Sequence, residues 1–177
     1  QTPTEPEIEL FEVDFSKSPS NFTEEDVNSK YAILIDAETG VVISHRSGNA
    51  KIYPASMTKY MTAMVVCDKI NSGEVNLNNT VTLTKDYDLT YDGVAPADIF
   101  YGDEISVKDL LYGLLLSSGN DAAVALAEHV AGSEDAFLAL MNEKATALGL
   151  TKTNFSTVHG LDAPQHHSTA YDMARLA

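Results

Sequence analysis

In the run Tyr53-Pro54-Ala55-Ser56-Met57-Thr58-Lys59, a hydroxyl and an amine stand three residues apart. If a helix starts here the two share a face, and Lys59 in its neutral form can take the proton of Ser56 as that oxygen turns nucleophile. Burial and nearby helix ends or cations lower a lysine pKa enough for the task. The spacing alone discriminates poorly, because chance supplies about 0.7 Ser-x-x-Lys spacings in a chain of this composition. A serine near a helix start followed by a solvated lysine has the same letters. Ser118 and Asn120 flank Gly119 and offer a hydroxyl and an amide that could join Ser56 and Lys59 in a proton-shuttling network. Ser47-Gly48-Asn49 repeats those three letters, so the triplet is weak by itself. Only the later copy sits between Leu114-Leu115-Leu116 and Ala122-Ala123, where one helix ends and another begins. Such a junction presents polar groups rigidly. The earlier copy is read as plain loop.

Ordered structure is expected to begin near Lys30. Tyr31–Asp36 and Val41–His45 are β-rich runs around a connection containing Gly40, which predicts a hairpin. From Ala55 the pattern turns helical, with Met57, Tyr60, Met61, Met64 and Val65 on the apolar stripe. Thr80–Thr84 reads as a short strand and 85–104 as a long polar loop. Ser106 caps a helix to Leu116 whose apolar face is Leu110, Leu111, Leu114 and Leu115. A second helix runs from Asn120 or Asp121 to Ala131. A third starts at Ser133, buries Phe137, Leu140, Met141 and Leu148, and closes at Gly149. Thr169 caps a last one, Ala170 to Leu176. A hairpin followed mostly by helices leaves strand edges with little to pair against, so the sheet needs more strands than this sequence supplies.

The chain has 177 residues and a formal charge of −15. That surface repels phosphate backbones and anionic lipid, which argues against nucleic-acid partners and against a polybasic membrane patch. Residues 1–29 hold part of the acidic excess and are read as a solvated leading segment or linker, with the folded domain at 30–177. No basic, apolar leader is seen at the start, and the expectation is that any signal peptide has already been removed. Cys67 is the single cysteine. It lies in the apolar run Ala63–Cys67 and is read as a core residue. His159, His166 and His167 lack the His-Glu-x-x-His spacing and are read as loop histidines making hydrogen bonds, not as metal ligands. His45 and His129 are read as surface or helix residues. No Gly-x-Ser-x-Gly elbow or phosphate-cradling loop occurs.

The stretch from Tyr53 to Thr62 resembles the nucleophile segment of the low-molecular-mass penicillin-binding proteins, the serine-type D-Ala-D-Ala carboxypeptidases. Val107–Ala123 is similar to their second motif, with glycine between Ser118 and Asn120. Asn154-Phe155, His159-Gly160-Leu161-Asp162 and His167–Met173 are similar to a further stretch. Three blocks in order are far less probable by chance than either triplet. The resemblance implies an α/β fold of the serine β-lactamase and transpeptidase type, with a helical cluster against an antiparallel sheet whose C-terminal strands are missing here.

It implies as catalytic residues Ser56, Lys59, Ser118 and Asn120, acting on peptidoglycan stem peptides that end in D-Ala-D-Ala. β-Lactams would acylate Ser56, and no metal or organic cofactor would be needed. The implied location is extracytoplasmic, in the cell envelope, with membrane contact only through parts outside this chain. The family's Lys-Thr-Gly motif does not occur in the sequence. Its absence is expected to reflect truncation and not divergence, so the resemblance does not imply that this stretch alone is active. Two rivals remain at this point: a class A-like β-lactamase or other Ser-x-x-Lys amidohydrolase, and a non-catalytic penicillin-binding or sensor domain.

Overall fold

The structure is a computed structural model that describes residues 20–23, 25–84, 86–87 and 96–177. The first nineteen residues of the acidic leading segment, and much of the polar loop expected over 85–104, lie outside the described residues. Strands β2 (Ala32–Ile35) and β3 (Val42–Arg46) form the expected hairpin, antiparallel with Ala32 opposite Arg46 and Leu34 opposite Ser44. The register shifts between Leu34 and Ile35. Asp36 shapes the connection: its carboxylate accepts the backbone N–H and the hydroxyl of Thr39, which hold its pKa below the usual value.

One strand precedes the expected start of order. β1 (Ser20–Asn21) pairs parallel to β3, opposite Ser44 and His45, so the sheet order is β1-β3-β2. Two polar residues carry no alternation to read, and only the free edge of β3 makes them a strand. A second small sheet joins β4 (Thr80–Thr82) to β5 (Glu104–Ser106), antiparallel, with Val81 opposite Ile105. The first of these was legible in the sequence and the second was not.

Five α-helices follow the predicted stops and starts. A short 3₁₀ turn, Ala55–Met57, leads into α1 (Thr58–Asn71). Ser106 caps α2 (Val107–Leu116) by accepting the N–H of Asp109. Ser133 and Thr169 cap α4 (Glu134–Ala147) and α5 (Ala170–Leu176) in the same way. Helix α3 (Asn120–Ala131) is the centre of the cluster, with every residue from Asn120 to Ala127 buried. Four alanines in that run let α1, α2 and α4 approach it closely on several sides, and a helix apolar all round is a core helix. Met61, Val65 and Val66 of α1, Leu110 and Leu114 of α2, and Phe137 and Met141 of α4 complete the core. Helix α5 packs against β2. Among the described residues no helix is long and apolar enough to cross a membrane.

Four residues expected to face the core are exposed, three of them on α1 or the turn before it and the fourth, Leu115, on α2. Cys67 is exposed: the buried positions of α1 are Thr58, Lys59, Met61, Thr62, Val65 and Val66, and Cys67 falls on the opposite phase of the turn. Met57 and Tyr60 are likewise exposed, although the stripe included them. In a helix that buries Thr58, Lys59 and Thr62 while exposing Tyr60 and Cys67, letter type does not mark the inward face, and the position of its neighbours selects it.

Replacing Phe137 with alanine in the full-length protein should cost about 3–5 kcal/mol in chemical denaturation, because the fully buried ring leaves a cavity in the core. Cys67→Ser should change stability by no more than about 0.5 kcal/mol, as expected for a surface substitution. A comparable loss at Cys67 would contradict the packing described here.

Candidate active site

Pro54 precedes a strained residue: Ala55 has φ +48°, in the left-handed region that non-glycine residues rarely occupy. The chain then closes a 3₁₀ turn, which leaves Ser56 exposed at the mouth of α1 and Lys59 buried one turn on. Lys59 Nζ lies 3.2 Å from Ser56 Oγ. It donates to Asn120 Oδ1 at 2.6 Å and to the backbone carbonyl of His159 at 2.8 Å. The three oxygens surround the amine, and two of them, a side-chain amide oxygen and a peptide oxygen, can only accept. A neutral amine has two N–H donors and one lone pair. With its donors committed to Asn120 and His159, the lone pair is left for the hydroxyl hydrogen of Ser56.

Burial also favours that neutral state. It lowers the Lys59 pKa from 10.5 to about 8, while the Asp121 carboxylate pulls in the opposite direction. At pH 7, one unit below that midpoint, about a tenth of the molecules carry a free amine, against about one in three thousand for an ordinary lysine. The His159 ring is held neutral as well. Burial first, then the charges of Lys59 and His166, push its pKa down to about 4, and its Nδ1 accepts the N–H of Leu161.

Ser118 lines the same cavity as Ser56 and Lys59, a space of about 260 Å³ walled also by Met57, Tyr60, Leu114 and Leu115. This is where Met57, Tyr60 and Leu115 of the predicted apolar faces are found. The structure thus brings Ser56, Lys59 and Asn120 into one hydrogen-bonded group. It places Ser118 beside them without a direct hydrogen bond from its hydroxyl to Ser56 or Lys59. Ser118 is the second non-glycine residue here at positive φ, +56°. Ser47-Gly48-Asn49 lies in the turn after β3, away from the cavity, as expected of a loop.

Gly119 has a steric reason to lack a side chain. A Cβ there would stand 2.7 Å from the Ala97 Cβ and 2.9 Å from Asp121 Oδ1. Room is needed because Asp121, buried in the first turn of α3, accepts the backbone N–H of Ala97 with both oxygens, at 2.7 and 2.9 Å. The acidic side chain so clamps the 96–99 segment to the helix start and adds a charge that opposes the neutral state of Lys59. Sequence reasoning passed over Asp121. A carboxylate between Asn120 and Ala122 at a helix N-terminus was the available signal. It also missed the His159 carbonyl, for which no residue letter exists. His159 and His166 make loop hydrogen bonds, as anticipated. Among the described residues no three His, Cys, Asp or Glu side chains converge into a metal-ligand group.

Comparison with known proteins finds relatives of the chain in sequence and in fold. Residues 17–177 match the family model described as D-alanyl-D-alanine carboxypeptidase. The chain is 44% identical over 154 residues to the D-alanyl-D-alanine carboxypeptidase DacC of Escherichia coli, covering 85% of this chain and 38% of that protein. It is 39% identical over 166 residues to DacF of Bacillus subtilis, covering 92% and 42%. Among solved structures, penicillin binding protein 6B from Escherichia coli superposes with a TM-score of 0.76 at 41% identity, over 81% of this chain and 47% of that one. Penicillin binding protein 5 from Haemophilus influenzae gives 0.79 at 34% identity, over 83% and 43%. The fold is therefore the penicillin-binding, transpeptidase-like α/β fold, and the chain spans less than half the length of the two curated relatives named above.

Asp121→Asn should move the Lys59 midpoint below about 8, because it removes the charge that favours the ammonium form while keeping an acceptor oxygen. Heteronuclear NMR titration of the lysine Cε resonances reads this directly. An upward shift would show that solvent, not charge, dominates at the site.

Proposed function

Because the chain belongs to the D-alanyl-D-alanine carboxypeptidase family, we propose that the protein carrying it removes the terminal D-alanine from peptidoglycan stem peptides through an ester on Ser56. The observation that supports this most is the exposed Ser56 hydroxyl beside a buried lysine whose other two partners are acceptors only. Lys59 takes the proton as Ser56 Oγ attacks the carbonyl carbon between the two D-alanines. The C–N bond breaks, the proton passes to the leaving amine through Lys59 and Ser118, and D-alanine departs. Water then attacks the ester, releasing the shortened peptide and restoring the Ser56 hydroxyl.

Asn120 orients Lys59 through its oxygen, which leaves its NH₂ as the donor it can offer the substrate. The backbone N–H of Ser56 serves as one oxyanion donor. The chain contains no Lys-Thr-Gly, and no residue here is assigned to the substrate carboxylate or to the second oxyanion donor. The nucleophile-bearing part of the catalytic domain starts ahead of residue 30, since β1 (Ser20–Asn21) belongs to its sheet, and the acidic stretch before β1 is its leading segment. The site of action is extracytoplasmic, at the cell wall. A β-lactam presents a strained amide to the same serine and acylates it. A class A-like β-lactamase would start from the same ester but hydrolyse it quickly.

Intact mass measurement of the full-length protein after benzylpenicillin should show a long-lived adduct on wild type and none on Ser56→Ala. Lys59→Met should slow acylation by about 10³-fold, the scale of a lost general base. The acylation rate of wild type should climb as pH rises through about 8, where Lys59 loses its proton. D-Alanine should be released from a D-Ala-D-Ala peptide by the same protein. Absence of any adduct would sink the proposal, and an adduct that clears within seconds would move the assignment to a β-lactamase.

A further inference from the structure

Between α4 and α5 the chain runs without regular structure from Asn154 to Ser168, and this segment lies against the start of α1 at several independent points. It is closed on itself by paired hydrogen bonds, Asn154 N–H to the His167 carbonyl at 2.9 Å and His167 N–H to the Asn154 carbonyl at 3.0 Å. Its end is tied to the chain entering the nucleophile turn, since Ile52 and Ser168 exchange hydrogen bonds of 2.8 and 3.0 Å. In the middle, the Thr62 hydroxyl donates to the Val158 carbonyl at 2.6 Å, and the His159 carbonyl receives Lys59.

Two residues make this approach feasible. Gly160 has φ +94°, and a Cβ on it would fall 1.9 Å from the carbonyl oxygen of Ala55, the strained residue before Ser56. No shift of a flexible side chain relieves that overlap, because the obstacle is backbone. His166 is fully buried. Its Nδ1 accepts the N–H of Ser156 at 3.1 Å, so the proton of the neutral ring is on Nε2, which donates to Thr58 Oγ1 at 3.0 Å. Thr58 lies between Ser56 and Lys59.

We propose that Gly160 and His166 are positioning residues for the Ser56–Lys59 pair, holding the 154–168 segment so that the His159 carbonyl fixes the lysine amine and the Ala55 turn stays closed. The inference rests on the acyl-transfer reading of Ser56. The His166 ring hydrogen-bonds Thr58 and Ser156, not Ser56 or Lys59, and acts through Thr58; Gly160 acts through Ala55 and the neighbouring His159 carbonyl. Releasing the segment would let water reach Lys59 and raise its pKa toward the ordinary lysine value, since burial is what depresses it. The charged or titratable groups that face Lys59 are Asp121 of α3 and the His159 ring; those that face His166 are Asp162, His167 and the His159 ring.

The test uses the full-length protein and a fluorescent penicillin, with acylation rates measured from pH 6 to 10 and the Lys59 midpoint followed by NMR. His166→Ala should lower the limiting acylation rate constant between tenfold and a hundredfold, roughly the cost of a small misplacement of a reacting group, with little change in the affinity that precedes it. It should also move the pH midpoint upward by about one unit. His166→Gln should restore the rate to within about threefold, because its amide can donate to Thr58 and accept from Ser156. Thr58→Val cuts the same hydrogen bond from the other side, should reproduce the His166→Ala effect, and covers the case in which that variant or Gly160→Ala does not fold. Gly160→Ala, where it folds, should fall at least as far as His166→Ala. Wild-type rate and midpoint in folded His166→Ala or Thr58→Val, or a glutamine variant no better than alanine, would overturn the positioning role. If the wild type takes no label, the acyl-transfer reading is what fails, and the Lys59 midpoint decides this inference: unchanged in the variants, it is overturned; raised, it stands.

Discussion

A lysine amine held out of water between three oxygens is the constraint on which the described structure turns. An ammonium in an apolar interior costs several kcal/mol unless its protons are satisfied, and an amine with too few partners is no better placed. At Lys59 the two demands meet: burial drives the pKa down, and three acceptor-capable oxygens keep either protonation state tolerable. A group that is stable with or without its proton near neutral pH is what general-base work requires. Each of the three oxygens comes from a different part of the chain: the turn before α1, the start of α3, and the segment between α4 and α5.

The rest of the fold can be understood as what brings those parts together. Helix α3 is buried through its first two turns, so the helix start that carries Asn120 and Asp121 is set by the most tightly packed element of the cluster. Its alanines let α1 lie close enough for the Lys59 amine to reach Asn120. Backbone strain accumulates at the two places where the chain turns into the cavity, Ala55 and Ser118, both in the left-handed region. Such conformations cost about 1–3 kcal/mol each and persist where the surroundings over-determine them. Here the surroundings are the packed helices and, at Ala55, the close backbone of Gly160.

Much of this was legible in the sequence. Ser106, Ser133 and Thr169 predicted their helices because capping is local chemistry between a side chain and a backbone N–H three residues on. The hairpin was legible because its two runs are β-rich and joined by a short turn. β1 and β5 were not, since strands of two or three residues exist only by virtue of the edge they find. Cys67 was misread for a related reason: Ala63–Cys67 is apolar at every position, and composition does not choose which side of a uniformly apolar run turns inward.

The sequence by itself determined the chemistry on offer: a serine and a lysine one helical turn apart, a second polar pair at a helix junction, and the caps and glycines that set where elements begin and end. These are short-range properties, fixed by side-chain type and spacing along one helix or turn. Tertiary structure alone decided how that chemistry is tuned. It buried Lys59 while leaving Ser56 exposed, drew the Asn120 amide oxygen onto the lysine amine, and supplied the His159 carbonyl as a third partner. The physical reason is that desolvation and the convergence of oxygens distant along the chain are properties of packed space, and a backbone carbonyl is common to every residue, so no letter marks the one that matters.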